Sequence, residues 1–143
     1  MTQTVLVVED NTVTALALMN ILRANGFEAL AASSVDDARN SVSAARPDLI
    51  LLDVQLPGED GYEFTRELKA NPATASIPIV ITTARSLHID KVLAFEAGCD
   101  EFMSKPIQPR QLSPMLREVL ARAEVGGSSE GSNPPAGDRT AQS

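Results

Sequence analysis

Five side chains in this sequence could do chemistry together if the fold brought them to one place: Glu9, Asp10, Asp53, Thr83 and Lys105. Each stands at or just beyond the end of a short apolar run. Asp53 ends Leu49-Ile50-Leu51-Leu52, and Glu9-Asp10 follow Val5-Leu6-Val7-Val8. Thr83 follows Ile77-Pro78-Ile79-Val80-Ile81, and Lys105 comes after Phe102-Met103-Ser104. Runs of this kind read as strands covered on both faces, as in a parallel sheet. Such a sheet places its reactive groups just beyond the carboxyl ends of its strands, so all of these residues would share one rim. Three carboxylates there repel one another. A pair ~4 Å apart costs ~1 kcal/mol in water and ~4 kcal/mol at an effective dielectric of ~20. The cluster needs a cation or a shared proton. Oxygen donors select hard cations, and Mg2+ suits one or two carboxylates completed by phosphate oxygens. With the Lys105 ammonium on the other side, the arrangement suits a phosphoryl group. Asp53 can serve as its nucleophilic acceptor, and the Thr83 hydroxyl can donate to a phosphoryl oxygen. Ala84 leaves room beside it.

The rest of the chain reads as elements that hold this rim. Ala15, Leu18 and Leu22 recur at helical spacing after the acidic turn, and Gly26 marks a stop. Phe27 to Ala31 reads as a second strand. Ser34 is a candidate N-cap for a helix with Val35, Ala38 and Val42 on its inner face. Asp60 can cap a third helix carrying Phe64 and Leu68, and Asn71-Pro72 ends it. The fourth strand is Ile77 to Ile81. A fourth helix from about Leu87 to Ala97 carries Val92 and Phe95 and stops at Gly98. Asp100 to Met103 is a fifth strand. A last helix opens at Pro109 and bears the stripe Leu112, Met115, Leu116, Val119 and Leu120. Five strands alternating with five helices imply an α/β domain with right-handed crossovers. From Gly126 to Ser143 the composition turns to Gly, Ser, Pro and polar residues, so 1–125 is expected as the folded domain and 126–143 as a disordered tail.

Bulk properties narrow the function. The 143 residues suit one domain with a single core. The formal net charge of -7 argues against direct nucleic-acid contact, which needs a basic face. Cys99 is the only cysteine, so no internal disulfide forms and a reducing cytoplasm is the expected compartment. No apolar run approaches the ~20 residues that cross a bilayer, so no membrane insertion is expected. The N-terminus lacks a basic region, so it does not read as a secretory signal.

Taken together, Val-Val-Glu-Asp-Asn, Leu-Leu-Asp-Val-Gln-Leu-Pro-Gly, Thr-Thr-Ala and Met-Ser-Lys-Pro-Ile, in this order, resemble the receiver domain of the two-component response-regulator family. The similarity runs from about Thr4 to about Ala123, and it looks most like stand-alone, CheY-like receivers. The resemblance implies a doubly wound, flavodoxin-like (βα)5 fold with a parallel sheet of order 2-1-3-4-5. It implies that Asp53 is the phosphoacceptor, that Asp10 binds Mg2+ directly, and that Glu9 acts on the metal through water. The Gln55 backbone carbonyl would complete the metal shell. Lys105 would contact the phosphoryl group, with Lys105-Pro106 as a cis peptide. Thr83 would be the switch hydroxyl and Phe102 the switch aromatic. Implied partners are a sensor histidine kinase or histidine phosphotransfer protein, which donates phosphohistidine, and a downstream protein. That target would read the surface of helix 4, strand 5 and helix 5. The protein would be a signalling phosphoacceptor rather than an enzyme with a free substrate. Glu at position 9 replaces the commoner Asp. Gln55 and Arg85, two residues beyond Asp53 and Thr83, stand where the family tunes dephosphorylation.

Each residue also has a plainer reading. Asp10 alone reads as an N-cap, Asp53 as a turn residue before Pro57-Gly58, Thr83 as a strand former, Lys105 as a solvated charge and Phe102 as core. His88 reads as a surface residue and Cys99 as a small buried apolar one. Two other functions compete. An Asp-nucleophile phosphatase of the haloacid-dehalogenase kind needs a second Asp two residues on, where Gln55 stands. A flavodoxin-type cofactor module needs a Gly/Ser/Thr-rich loop after the first strand, where Glu9-Asp10 would repel phosphate. A receiver cut from a longer protein, with the tail as its linker, is the third possibility.

Overall fold

The structure, a computed structural model, describes residues 2–84 and 88–129, with residues 125–129 described by their backbone alone. Strands β1 (Thr4–Val8), β2 (Glu28–Ala32), β3 (Leu49–Asp53), β4 (Ile79–Thr83) and β5 (Glu101–Ser104) alternate with helices α1 (Thr12–Ala24), α2 (Val35–Ala45), α3 (Gly61–Ala70), α4 (His88–Ala97) and α5 (Pro109–Ser129). All strand pairs are parallel, and the order across the sheet is β2-β1-β3-β4-β5. This is the doubly wound order that the family resemblance implies.

Period-two alternation in the strands sorts the core into two layers. Leu6, Val8, Ile50, Leu52, Ile79, Ile81 and Phe102 face Val35, Ala38 and Val42 of α2, Phe64 and Leu68 of α3, and Ala94 of α4. Val5, Val7, Leu49, Leu51, Val80 and Met103 face Leu18 and Leu22 of α1 and Leu112, Leu116, Val119 and Leu120 of α5. Every residue of β3 and β4 is buried, which explains why these strands read as unbroken apolar runs. Ser34 and Asp60 cap α2 and α3 as their spacing suggests, accepting from Asp37 N and from Tyr62 and Glu63 N. Gly26, at the end of α1, has φ +91°, a conformation glycine adopts without strain.

Several boundaries differ from the sequence reading. β2 and β5 begin one residue later than expected, because Phe27 and Asp100 do other work. Phe27 is buried beneath Arg117, whose guanidinium lies 4.7 Å from the ring centroid. Asp100 accepts the Ile79 N–H (2.8 Å) and the Lys69 Nζ (3.0 Å), tying α3 to the start of β4. β4 starts after Pro78, whose carbonyl accepts from Ile50 N. On α4 the inward residues are Asp90, Ala94 and Ala97. Phe95 is 47% exposed, and Ile89 and Leu93 are also exposed. Small residues at the inner positions turn the bulky ones outward. The expected start of this helix at Leu87 and the residue Arg85 lie outside the described residues. The backbone of α5 runs to Ser129, past the boundary that composition places at residue 125; the tail from residue 130 lies outside the described residues.

Candidate functional site

The site is built at the carboxyl ends of β1, β3, β4 and β5. Asp53 is the last residue of β3, and its backbone register places it beside Thr82 of β4. Glu9 and Asp10 follow β1. The turn into α1 is capped by Asn11, whose side chain accepts from Thr14 N at 2.9 Å. The cap is therefore one residue beyond Asp10, and Asp10 needs no structural role as a helix cap. Glu9, Asp10 and Asp53 offer oxygen atoms that all lie within 4.8 Å of one another. Glu9 and Asp53 are buried, at 5% and 4% exposure, whereas Asp10 is exposed.

Lys105 reaches the same spot from beyond β5, and the Lys105-Pro106 peptide is cis, as the resemblance implies. Its Nζ donates to Glu9 Oε1 at 2.6 Å and to Asp53 Oδ2 at 3.0 Å. Burial alone would lower its pKa. Hydrogen bonds to Glu9 and Asp53, and then their charges, outweigh that effect and hold the ammonium above its ordinary value. The remaining oxygens are also engaged: Glu9 Oε2 accepts from Asn11 N at 3.2 Å, and Asp53 Oδ1 accepts from Gln55 N at 2.8 Å.

The charge balance indicates what else fits. Three carboxylates against one ammonium leave two negative charges uncompensated among these residues. A divalent cation would cancel them, and an all-oxygen donor set of this size suits Mg2+ rather than a softer metal. The exposed Asp10 side makes such an ion reachable from solvent.

The loop after β3 positions both Asp53 and its neighbour Gln55. Leu56 is buried, and Glu59 Oε1 accepts from Val35 N at 2.9 Å at the start of α2. Gly58 sits at φ +71°. Gly61 is needed for close approach: a Cβ there would lie 2.6 Å from Val54 Cα. On this framework the Gln55 side chain crosses to β4, where its Oε1 accepts from Thr83 Oγ1 (2.9 Å) and Ala84 N (2.8 Å). The Ala84 amide can only donate, so the amide orientation of Gln55 is fixed. The resemblance implies a backbone role for Gln55 at the metal and a position that tunes dephosphorylation, but no contact with Thr83 or Ala84. Nothing local in the sequence signals its side-chain contact, which depends on how the β3–α3 loop lies over β4.

Thr83 is buried at the end of β4. Phe102, on β5, is paired with Ile81 across the sheet and is buried among Ile81 and Ala94. The structure thus gathers Glu9, Asp10, Asp53, Gln55, Thr83 and Lys105 on one rim and places Phe102 in the layer below. His88 is exposed and Cys99 buried, as their plain readings suggest.

Comparison with known proteins agrees with this geometry. A family model described as the response regulator receiver domain matches residues 5–117. The chain is 38% identical over 122 residues to the phosphate regulon transcriptional regulatory protein PhoB of Escherichia coli K12, covering 85% of this chain and 53% of that protein. The chain therefore spans about half the length of the curated relatives it matches. Among solved structures it is similar to the receiver domain of a sensor histidine kinase from Pseudomonas aeruginosa PAO1, described with a magnesium ion coordinated in its active-site cleft. The TM-score there is 0.77 and the identity 31%, over 85% of this chain and 99% of that one. A CheY-like receiver domain protein from Methanospirillum hungatei JF-1 matches in fold, with TM-score 0.82 at 24% identity over 89% of this chain and all of the other.

Proposed function

Because this chain belongs to the response regulator receiver family, a two-component phosphoacceptor family, we propose that Asp53 is the residue phosphorylated and that Glu9, Asp10 and Lys105 make that step possible. The observation that carries the assignment is the shared rim: three carboxylate ligand atoms within 4.8 Å and an ammonium bonded to two of those groups.

A carboxylate oxygen of Asp53 attacks phosphorus in line, and the bond from phosphorus to the donor's imidazole nitrogen breaks. The nitrogen keeps the electron pair, leaving neutral imidazole after proton uptake. Mg2+ supplies positive charge to the oxygens of the transferring group when it is bound. Asp10 and Asp53 would hold that ion directly, with the Gln55 carbonyl as a further ligand and Glu9 acting through water. Lys105, already bonded to Asp53, turns to the arriving phosphoryl oxygens. Thr83 and Phe102 carry the response: the hydroxyl moves toward the phosphoryl group and the ring follows, shifting a pre-existing equilibrium.

The donor is a phosphohistidine on a sensor kinase or phosphotransfer protein. An apolar groove beside Lys105, lined by Val13, Ala17, Ile21, Ala84, Ile107 and Pro109, supports docking of a protein rather than a free phosphoester. Ile89, Leu93 and Phe95, exposed on α4, support a protein reader on the helix 4–strand 5–helix 5 surface. The described residues are assigned no direct nucleic-acid contact, in keeping with the net charge of -7, and no helix among them is long and apolar enough to cross a membrane. The cytoplasm is the proposed compartment. Within this reading the domain is a phospho-accepting signalling protein that assists its own phosphorylation and dephosphorylation.

The test is phosphotransfer profiling against the phosphorylated sensor kinases of the same organism, with and without Mg2+. One donor should label the wild type rapidly when Mg2+ is present and leave Asp53→Asn unlabelled. Labelling of Asp53→Asn at the wild-type level would overturn the assignment.

A further inference from the structure

On this rim one side chain occupies donors that an incoming phosphoryl group would need. Gln55 Oε1 is a neutral oxygen held by two hydrogen bonds, from Thr83 Oγ1 and Ala84 N. Its own peptide N–H is bonded to Asp53 Oδ1. The amide oxygen is thus fixed between the acceptor carboxylate's loop and the end of β4. A phosphoryl group on Asp53 would carry three acceptor oxygens into the same space. Among the described residues, the charged donor is Lys105, on the β5 side, and two donors on the β4 side, Thr83 Oγ1 and Ala84 N, are held by Gln55.

We propose that the Gln55 side chain is a built-in stand-in for a phosphoryl oxygen, holding Thr83 and Ala84 in the unphosphorylated arrangement until phosphorylation displaces it. This rests on the phosphoacceptor reading above and adds a competing ligand to it. The competition is unequal, which makes it serviceable as a latch. A neutral amide oxygen is a weaker acceptor than a phosphoryl oxygen, whose charge-assisted hydrogen bonds are roughly twice as strong. The latch therefore holds in the resting protein and yields to phosphate. Reach limits which residues can do this: Asn is one methylene shorter, and Met matches the length without an oxygen. Gln55 is exposed, so its substitution leaves the core untouched.

The test compares wild type, Gln55→Met and Gln55→Glu, using beryllofluoride with Mg2+ as the phosphoryl analogue and amide NMR as the readout. In the resting state, the Ala84 amide resonance should move upfield in Gln55→Met and stay near its wild-type position in Gln55→Glu, which retains an oxygen at the same reach. The beryllofluoride midpoint should fall on the order of 10-fold in Gln55→Met, since two competing hydrogen bonds are gone. An Ala84 resonance unchanged in Gln55→Met would overturn the latch, whatever the protein does with phosphate. So would an unchanged midpoint in a protein whose wild type binds the analogue. A wild type that binds no beryllofluoride would instead strike the phosphoacceptor reading itself, and the latch with it.

Discussion

Replacing Lys105 by Met tests how the acidic cluster is held together. The ammonium lies 2.6 Å from Glu9 and 3.0 Å from Asp53, and both carboxylates are at most 5% exposed. At an effective dielectric of ~20 these contacts correspond to about 6 and about 5.5 kcal/mol of gross attraction. Desolvating the three groups offsets most of that. Breaking a fully buried pair by deleting one partner costs ~3–5 kcal/mol, because the other charge is left uncompensated. Lys105 keeps 20% of its side chain in solvent, so the expected loss falls at or just below the bottom of that range, about 2–3 kcal/mol. In a domain of this size that lowers Tm by roughly 6–12 °C. Urea unfolding at neutral pH in EDTA measures it. Two further results follow from the same electrostatics. Adding Glu9→Gln to Lys105→Met should recover part of the loss, since one buried charge disappears. Added Mg2+ should stabilise Lys105→Met more than wild type, because three uncompensated charges remain instead of two. A Lys105→Met protein within about 0.5 kcal/mol of wild type in EDTA, the size of an ordinary surface substitution, would refute this electrostatic account.

Two other perturbations follow from the geometry. Gly61→Ala forces a Cβ to 2.6 Å from Val54 Cα and 2.8 Å from Val54 Cγ1, so it should cost at least ~2 kcal/mol in urea unfolding; a neutral outcome would mean the β3–α3 loop shifts freely. Burial, reinforced by the charges of Asp100 and Glu101, pushes the Cys99 thiol up to about 12. A raised folded-state value keeps its full stabilising effect below the unfolded value of about 9 and loses it as pH climbs toward 12. Wild type should therefore lose more stability than Cys99→Ala between about pH 8 and pH 10.5, and parallel pH profiles would contradict this.

The sequence was legible where strand ends carry the chemistry. Asp53 could be placed because four buried apolar residues precede it, and its strand register follows from that run. The parallel sheet then brings Glu9, Asp10, Thr83 and Lys105 to the same rim by topology alone. Where side-chain direction depends on tertiary packing, the sequence was mute. The Gln55 side-chain contact with Thr83 was hidden because the two residues lie 28 apart in the chain. The sequence names Val92 and Phe95 on α4 but does not show which face packs; Ala94 and Ala97 take the inner one and Phe95 is exposed. Asp10 read as the alternative cap of α1, but the bond from Thr14 N shows that Asn11 holds that place. The end of α5 could not be read from composition, because Gly126 and Gly127 continue a helix that packing had already set.

The most direct measurement is intact mass after incubation with a small acyl phosphate, with Mg2+ or with EDTA, followed by borohydride trapping and peptide mapping. The account predicts a gain of one phosphoryl group only with Mg2+, with the trapped residue at Asp53. A phosphoryl group mapped to another residue, or incorporated equally in EDTA, would contradict it.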